Sequence, residues 1–383
     1  MPDTVIRGHA PRTTDRARPA ARTTDRARPA ALPSRLPSLT GLRWIAAATI
    51  FGYHVMLESG FFADKQARGV LEVLFSGGRS AVSFFYVLSG FVLTWSAGST
   101  VAKTGFWRRR FARIYPSHFV TFLAAAAYLS WAGRDLDPQQ AIANLTLTQS
   151  WPDDRTYWWS YNGVSWSLSV EFFFYLTFPF LLPFLSRLRP AWWWATAAAC
   201  VAGVICLPVV ATWRSEPTVG GDAFYAVYQF PPARLLEFVL GMVLALLVRD
   251  GRWRGPGIVC STAVWVAGLL LTREIVRVTD EPLLACAATG IVGCALLIPA
   301  AARADAEGSV SVFRTPRLVR MGEVSFAFYL VHELVLSPPS PCSAATPGSR
   351  RHRRWHSPRP ASALPWCSRS CCTTTWRSRV CGC

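Results

Sequence analysis

The chain has 383 residues, 51% of them apolar, and a formal net charge of +18. Its mean hydropathy is positive, at +0.25, and 17 Trp and 23 Phe suit a protein whose aromatic side chains collect at a membrane–water boundary rather than a soluble domain. So basic a chain invites a nucleic-acid reading, but its Arg residues lie between apolar blocks and at the two termini, where they carry topology information; nucleic acid is not the expected partner.

Residues 1–40 are polar and rich in Arg, Pro and Ala, and RTTDRARPAA at 12–21 repeats perfectly at 22–31. Such a tract buries too little apolar surface to fold, and it lacks the apolar stretch and small-residue cleavage site of a signal peptide. A disordered cytoplasmic tail is expected.

From there the chain alternates between apolar blocks about one bilayer long and short polar loops. The blocks place spans near residues 42–58, 80–98, 115–132, 164–184, 191–211, 233–249, 257–273, 282–300 and 322–337. The expected fold is an all-α polytopic transmembrane helix bundle of about 9–10 spans, in a membrane domain over residues 41–337. Every second loop is basic: Lys103 to Arg113, Arg187 with Arg189, Arg249 to Arg254, and Arg303 to Arg320. The loops between them carry Glu58, Asp64, Glu72, Asp153, Asp154, Glu216, Asp222, Asp280 and Glu281. By the positive-inside rule the N-terminus is cytoplasmic. Cys200, Cys206, Cys260, Cys286 and Cys294 sit singly in apolar blocks, where Cys acts as a small hydrophobe. No Cys/His pair in those blocks has zinc spacing, so no metal site and no permanently bound cofactor are expected.

Residues 338–383 break the pattern. They hold eight Arg and six Cys with no Asp, Glu or Lys, and nothing in them resembles a span. A reading-frame shift near Ser337 that replaced a tenth span would account for this, as would a divergent tail.

Ionisable groups inside spans are costly and mark function. Arg43 and His54 lie eleven residues apart in LTGLRWIAAATIFGYHV, about 16 Å along a helix. Arg43 therefore falls at the cytoplasmic boundary and His54 near mid-membrane, where a neutral imidazole is a natural general base; a packing histidine would look the same. Glu171, in NGVSWSLSVEFFFYL, falls about 10 Å below the outer boundary, a depth that matches His54. A carboxylate there is expected to steady the imidazolium. Ser165, Ser167 and Ser169 stand at spacing two, so a helix scatters them around its axis. Arg110 and Arg113, in FWRRRFARIYP, are three apart and share a helical face. Paired guanidiniums suit a phosphate-bearing ligand, although lipid headgroup contact explains many such clusters.

Together these segments resemble the acyltransferase-3 family of multi-pass membrane proteins. LTGLRWIAAATIFGYHV, SFFYVLSGFVLTWS, FWRRRFARIYP, NGVSWSLSVEFFFYLTFPFLLP, RLLEFVLGMVLA and SFAFYLVHE occur in the family's order across roughly residues 38–336. The resemblance implies transfer of an acyl group, usually acetyl, from an acyl-CoA co-substrate to a hydroxyl of a glycan or, in actinobacteria, of a natural product such as a macrolide. It implies that Arg43 and His54 form the first signature, that Arg110 and Arg113 bind the donor, and that Glu171 is the acidic residue of the Ser-Trp-Ser-x-x-x-Glu motif. His332 matches a frequent His of the late span, and Ser89 with Gly90 a tight helix contact rather than a nucleophile. The chain departs from the family after Ser337, where another apolar span is usual. Two other classes stay open at this point: a multi-pass transporter or exporter, whose broken helices and intramembrane charge look similar, and an inactive protein on the acyltransferase scaffold. No internal repeat between the halves favours the transporter.

Overall fold

The computed structural model describes residues 33, 35–57, 65–97, 102–214, 221–279 and 288–336. The expectations for the repeat-bearing N-terminal tail and for the stretch from Ser337 onward lie outside the described residues. Among the described residues every regular element is helical and there is no strand. This follows from the solvent: in hydrocarbon, a backbone polar group must be satisfied within its own segment.

Each of the nine apolar blocks, where described, lies on a helix. They are α1 (Pro37–Leu57), α3 (Ala81–Ser96), α4 (Lys103–Trp131), α7 (Trp166–Arg187), α8 (Pro190–Arg214), α10 (Pro231–Arg249), α11 (Ile258–Thr279), α12 (Ala288–Ala306) and α13 (Pro316–Leu336). Shorter helices α2 (Lys65–Phe75), α5 (Pro138–Leu145), α6 (Arg155–Trp158) and α9 (Asp222–Phe224) fill the intervals. Among the described residues, five helical stretches are long and apolar enough to cross a membrane: Gly69–Ser96, Gly163–Arg187, Pro190–Trp213, Asp222–Arg249 and Ile258–Ile275. The remaining blocks are helical but shorter or more polar. The protein is a polytopic all-α membrane bundle.

Two boundaries differ from the sequence pattern. The basic run 103–113 forms the first three turns of α4 rather than a loop. It holds no proline, its one glycine is Gly105, and Arg is a good helix former. Upstream of α3, α2 and a 3-10 turn at Ser76–Ser80 carry the helix back toward Lys65.

Helices approach closely where glycine permits. A Cβ on Gly90 of α3 would run into the Phe238 carbonyl oxygen of α10, and a Cβ on Gly241 of α10 would run into the Val87 carbonyl oxygen of α3. This reciprocal contact is the small-residue packing that joins membrane helices, and it is the tight contact read at Ser89–Gly90. Gly322 of α13 meets the Thr40 carbonyl of α1 in the same way.

The α3–α10 pair also holds a buried ion pair. Arg234 Nη2 stands 3.1 Å from a Glu237 oxygen, with the side chains 2% and 1% exposed. Arg234 also donates to Ser83 Oγ at 3.3 Å and lies over the rings of Tyr86 and Tyr228, 5.0 and 5.1 Å from their centroids.

Two polar contacts fasten one end of the bundle. Asp305, at the end of α12, accepts from the Ser38 backbone N–H at 2.8 Å and the Ser38 hydroxyl at 2.7 Å. It thereby satisfies donors that the first turn of α1 leaves without intrahelical partners. Burial lifts the Asp305 carboxyl above its ordinary range, and the bonds from Ser38 act against that lift. Arg249, at the end of α10, donates to the Thr94 and Ala97 carbonyls at 2.8 and 3.1 Å and so closes the last turn of α3. At the other end Asn162, just before α7, donates to the Leu330 carbonyl of α13 at 2.9 Å.

Two substitution experiments test this packing. Gly241→Val should destabilise the protein by at least the ~1–3 kcal/mol usual for overpacking, read as a lowered Tm in detergent. Arg234→Met alone should cost about 3–5 kcal/mol by stranding Glu237, whereas the double change Arg234→Met with Glu237→Met should recover most of that loss.

Candidate active site

α1 supplies both ends of the first signature, Arg43 in its second turn and His54 in its last. The surroundings of the two differ, and the difference defines two linked sites.

At the far end of α1, His54 Nδ1 lies 2.8 Å from Nε2 of His332 and 3.0 Å from a carboxylate oxygen of Glu333. The two imidazoles stack, with centroids 4.9 Å apart. His332 is buried, and its Nδ1 is 2.6 Å from the Tyr329 carbonyl oxygen one turn earlier in α13. Phe51 and Phe328 pack on the His332 ring, so aromatic groups from α1 and α13 fix its plane. Tyr329 carries the connection onward: its hydroxyl sits 3.0 Å from Ser167 Oγ, either atom able to donate, and 3.3 Å from the Val164 carbonyl. α1, α13 and α7 thus meet around one imidazole pair.

Glu171 is not among the partners of His54. It accepts from Ser89 Oγ at 3.2 Å and from the Tyr175 hydroxyl at 2.5 Å, and it lies within electrostatic reach of Arg43. Arg110 and Arg113 act on the same Arg43. The structure therefore brings Arg43, Arg110, Arg113 and Glu171 into one group at the start of α1, and leaves His54 with Glu333 as its carboxylate. The depth match expected between Glu171 and His54 does not hold: α7 carries Glu171 toward the level of Arg43, while α13 presents Glu333 to His54.

Beside the arginines, a cleft of about 300 Å³ opens between α4 and α7. Its walls are mostly apolar, from Trp107, Phe111, Phe172, Tyr175 and Leu176, and Arg110 lies at its edge. Trp107 Nε1 donates to the Tyr175 carbonyl at 2.9 Å, which holds α4 against α7 at this level. Arg110 is half-buried and stacks over Phe106 at 5.7 Å, whereas Arg113 is exposed. Arg108, also exposed, lines the cleft with Arg110, so an anion there would meet one half-buried and one exposed guanidinium.

His54, His332 and Glu333 are all of metal-ligating types, and their ligand atoms lie within 4.8 Å of one another. The 2.8 Å between the two ring nitrogens is a hydrogen-bond distance. Two nitrogens on one tetrahedral zinc at ~2.0 Å each stand about 3.3 Å apart, so the spacing fits a shared proton better than a shared ion.

Glu333 was open to the reasoning that selected Glu171, being a carboxylate inside an apolar block in SFAFYLVHE. Tyr175 and Ser89 carried no such signal, because a hydroxyl in a span is ordinary until its partner is known. Ser165, Ser167 and Ser169, scattered as their spacing requires, serve separate neighbours: Asn144, Tyr329 and Ser150.

The acyltransferase-domain family model matches residues 36–342. The acyltransferase MdmB of Streptomyces mycarofaciens is 44% identical over 314 residues, 79% of each chain. The peptidoglycan O-acetyltransferase OatA of Listeria monocytogenes is 26% identical over 237 residues, 55% of this chain and 34% of that longer relative. The putative peptidoglycan O-acetyltransferase YrhL of Bacillus subtilis is 25% identical over 232 residues, 55% of this chain and 33% of its own length. No solved structure matches.

Glu171 depends on two donors. Tyr175→Phe should leave its carboxylate one bond short and lower stability by about 1.5–3 kcal/mol, the range for a hydrogen bond to a charged group. Thermal unfolding of the two proteins in the same detergent measures the difference.

Proposed function

We propose that this chain, which belongs to the acyltransferase-domain family, carries a short acyl group from an acyl-CoA thioester to the hydroxyl of an acceptor, with His54 as general base. The observation that carries this reading is the pairing of His54 with His332 and Glu333 inside the bundle, on the same helix that sets Arg43 beside Arg110 and Arg113.

The chemistry follows from that layout. The phosphates of the donor dock on Arg110 and Arg113, with Arg43 behind them, through charge-assisted bonds. Glu171 offsets the positive charge of the half-buried arginines when no donor is bound. The thioester-bearing arm then runs along α1 for the ~16 Å between Arg43 and His54. His54 takes the proton of the acceptor hydroxyl, the oxygen attacks the thioester carbon, and the C–O bond forms as the C–S bond breaks. The sulfur leaves as thiolate and takes the proton back from the imidazolium. Holding both reactants in a water-poor bundle supplies much of the rate. The arginine group faces the cytoplasm, where the positive-inside rule puts it and where acyl-CoA is found.

The acceptor is a hydroxyl on a macrolide-type natural product, with a glycan as the second candidate. The relative matched over 79% of both chains comes from Streptomyces and is called simply an acyltransferase. The two peptidoglycan enzymes align over only about a third of their own length, so most of what they bring to a polymer lies outside the shared part.

His54→Ala should abolish acyl-dependent thiol release while leaving donor binding intact. Arg110→Ala and Arg113→Ala should each raise the donor KM about tenfold or more, in line with one lost charge-assisted bond. Purified protein, acyl-CoA, candidate acceptors and a thiol-reactive dye measure both. A folded His54→Ala protein working at the normal rate would remove the reading.

A further inference from the structure

We infer that His332 and Glu333 position His54 for the reaction by holding its proton on Nδ1, so that Nε2 is the atom that takes the proton of the acceptor hydroxyl. This rests on the acyl-transfer reading of the same site and specifies which atom acts and what orients it.

The direction of the hydrogen-bond chain is fixed at its far end. The Tyr329 carbonyl oxygen can only accept, so His332 Nδ1, 2.6 Å away, carries a hydrogen. A neutral imidazole has one N–H, and the other nitrogen keeps its lone pair. That other nitrogen, Nε2 of His332, is 2.8 Å from Nδ1 of His54. A bond between two ring nitrogens needs one hydrogen, and here it can come only from His54. His54 is therefore the Nδ1–H tautomer, with a bare Nε2. Among the described residues no side chain or backbone group is bonded to that Nε2, and the His54 side chain is 22% exposed.

Glu333 strengthens the arrangement. Its oxygen stands 3.0 Å from the same His54 Nδ1, and a carboxylate, like the carbonyl, only accepts. When Nε2 takes a proton, the ring's new positive charge appears beside this carboxylate, which stabilises it. Consecutive residues of a helix point about 100° apart, so His332 and Glu333 both reach one nitrogen only because His54 sits over the boundary between their directions. Among the described residues, the other titratable groups near the pair are Tyr53, whose ring is 5.8 Å from that of His54, and Tyr329, whose ring is 5.5 Å from that of His332. Arg79 lies on the far ring of Tyr53, at 5.4 Å. Among the described residues Glu333 is thus the anion in direct contact with His54.

The step balances without any further reagent. The acceptor O–H bond breaks, its proton goes to His54 Nε2, and its oxygen bonds the acyl carbon. The C–S bond breaks, and the departing sulfur recovers the proton from Nε2.

The test uses the full-length protein in detergent or nanodiscs. Glu333→Gln keeps an acceptor oxygen and removes the charge. It should lower kcat about 10- to 100-fold, the cost typical of losing a group that orients an imidazole, with the donor KM unchanged. His332→Leu should lower kcat on the same scale, and His332→Gln, whose side-chain oxygen can still accept from Nδ1, should recover most of it. A merely structural role would lower yield and Tm, and His332→Gln would then not recover the rate that His332→Leu loses. The inference is overturned if Glu333→Gln and both His332 variants keep the normal rate while His54→Ala is inactive; in that outcome the base stands and its positioning does not. Inactive and unfolded Glu333→Gln protein passes the decision to the His332 pair. Stoichiometric zinc retained by the purified protein and required for turnover would also overturn it, since the same nitrogens would then hold an ion. A fully active His54→Ala would instead remove the acyl-transfer reading on which both depend.

Discussion

A charge surrounded by hydrocarbon has no water to lean on. Each ionised group in this bundle must be neutralised by a neighbour already in place, and that requirement organises the interior. Arg234 answers Glu237 on the face that α10 turns to α3. Arg43 and Arg110 answer Glu171, which is itself held by Ser89 and Tyr175. His54 answers Glu333 and His332. The three groups draw on different helices, so satisfying all of them together leaves few other ways to arrange α1, α3, α4, α7, α10 and α13. Charge satisfaction and helix arrangement are here one problem with one solution.

The glycines make that solution reachable. Short hydrogen bonds between side chains on neighbouring helices need backbones that come close, and Gly90, Gly241 and Gly322 are the positions where a Cβ would hold them apart. Gly90 follows Ser89, which bonds Glu171, so the close approach of α3 and α10 lies beside the polar group at Glu171. Apolar packing sets the framework, and a handful of polar atoms fixes its details.

Much of this could be read from residues alone, for definite reasons. Hydropathy reports helices because a membrane leaves the backbone little alternative, and each apolar block between Leu42 and Ser337 is helical where described. Spacing placed Arg43 and His54 on one helix and Arg110 and Arg113 on one face. What spacing could not provide was the angular order of helices around the bundle. A sequence yields only an approximate depth, one coordinate of three, and that depth put Glu171 level with His54 although its neighbour is Arg43. The carboxylate that meets His54 is Glu333, beside His332, which lies 278 residues further along the chain than His54. The helical start of α4 was hidden for another reason: a basic run reads equally well as a loop or as the snorkelling first turns of a helix.

The bond from Ser38 to Asp305 and the His54–His332 contact share a feature that becomes plain when synthesis is set against time. α1 is the first of the described helices to leave the ribosome, and both of these contacts come from helices made much later. At a translation rate of about 5–20 residues per second, the 278 residues between His54 and His332 take roughly 15–55 s. For that interval α1 waits in the translocon or the lipid with a histidine lacking its partners and a first turn lacking its cap. The reactive imidazole is thus assembled last although its helix is made first, and a chain interrupted before α13 would carry the base but not the site.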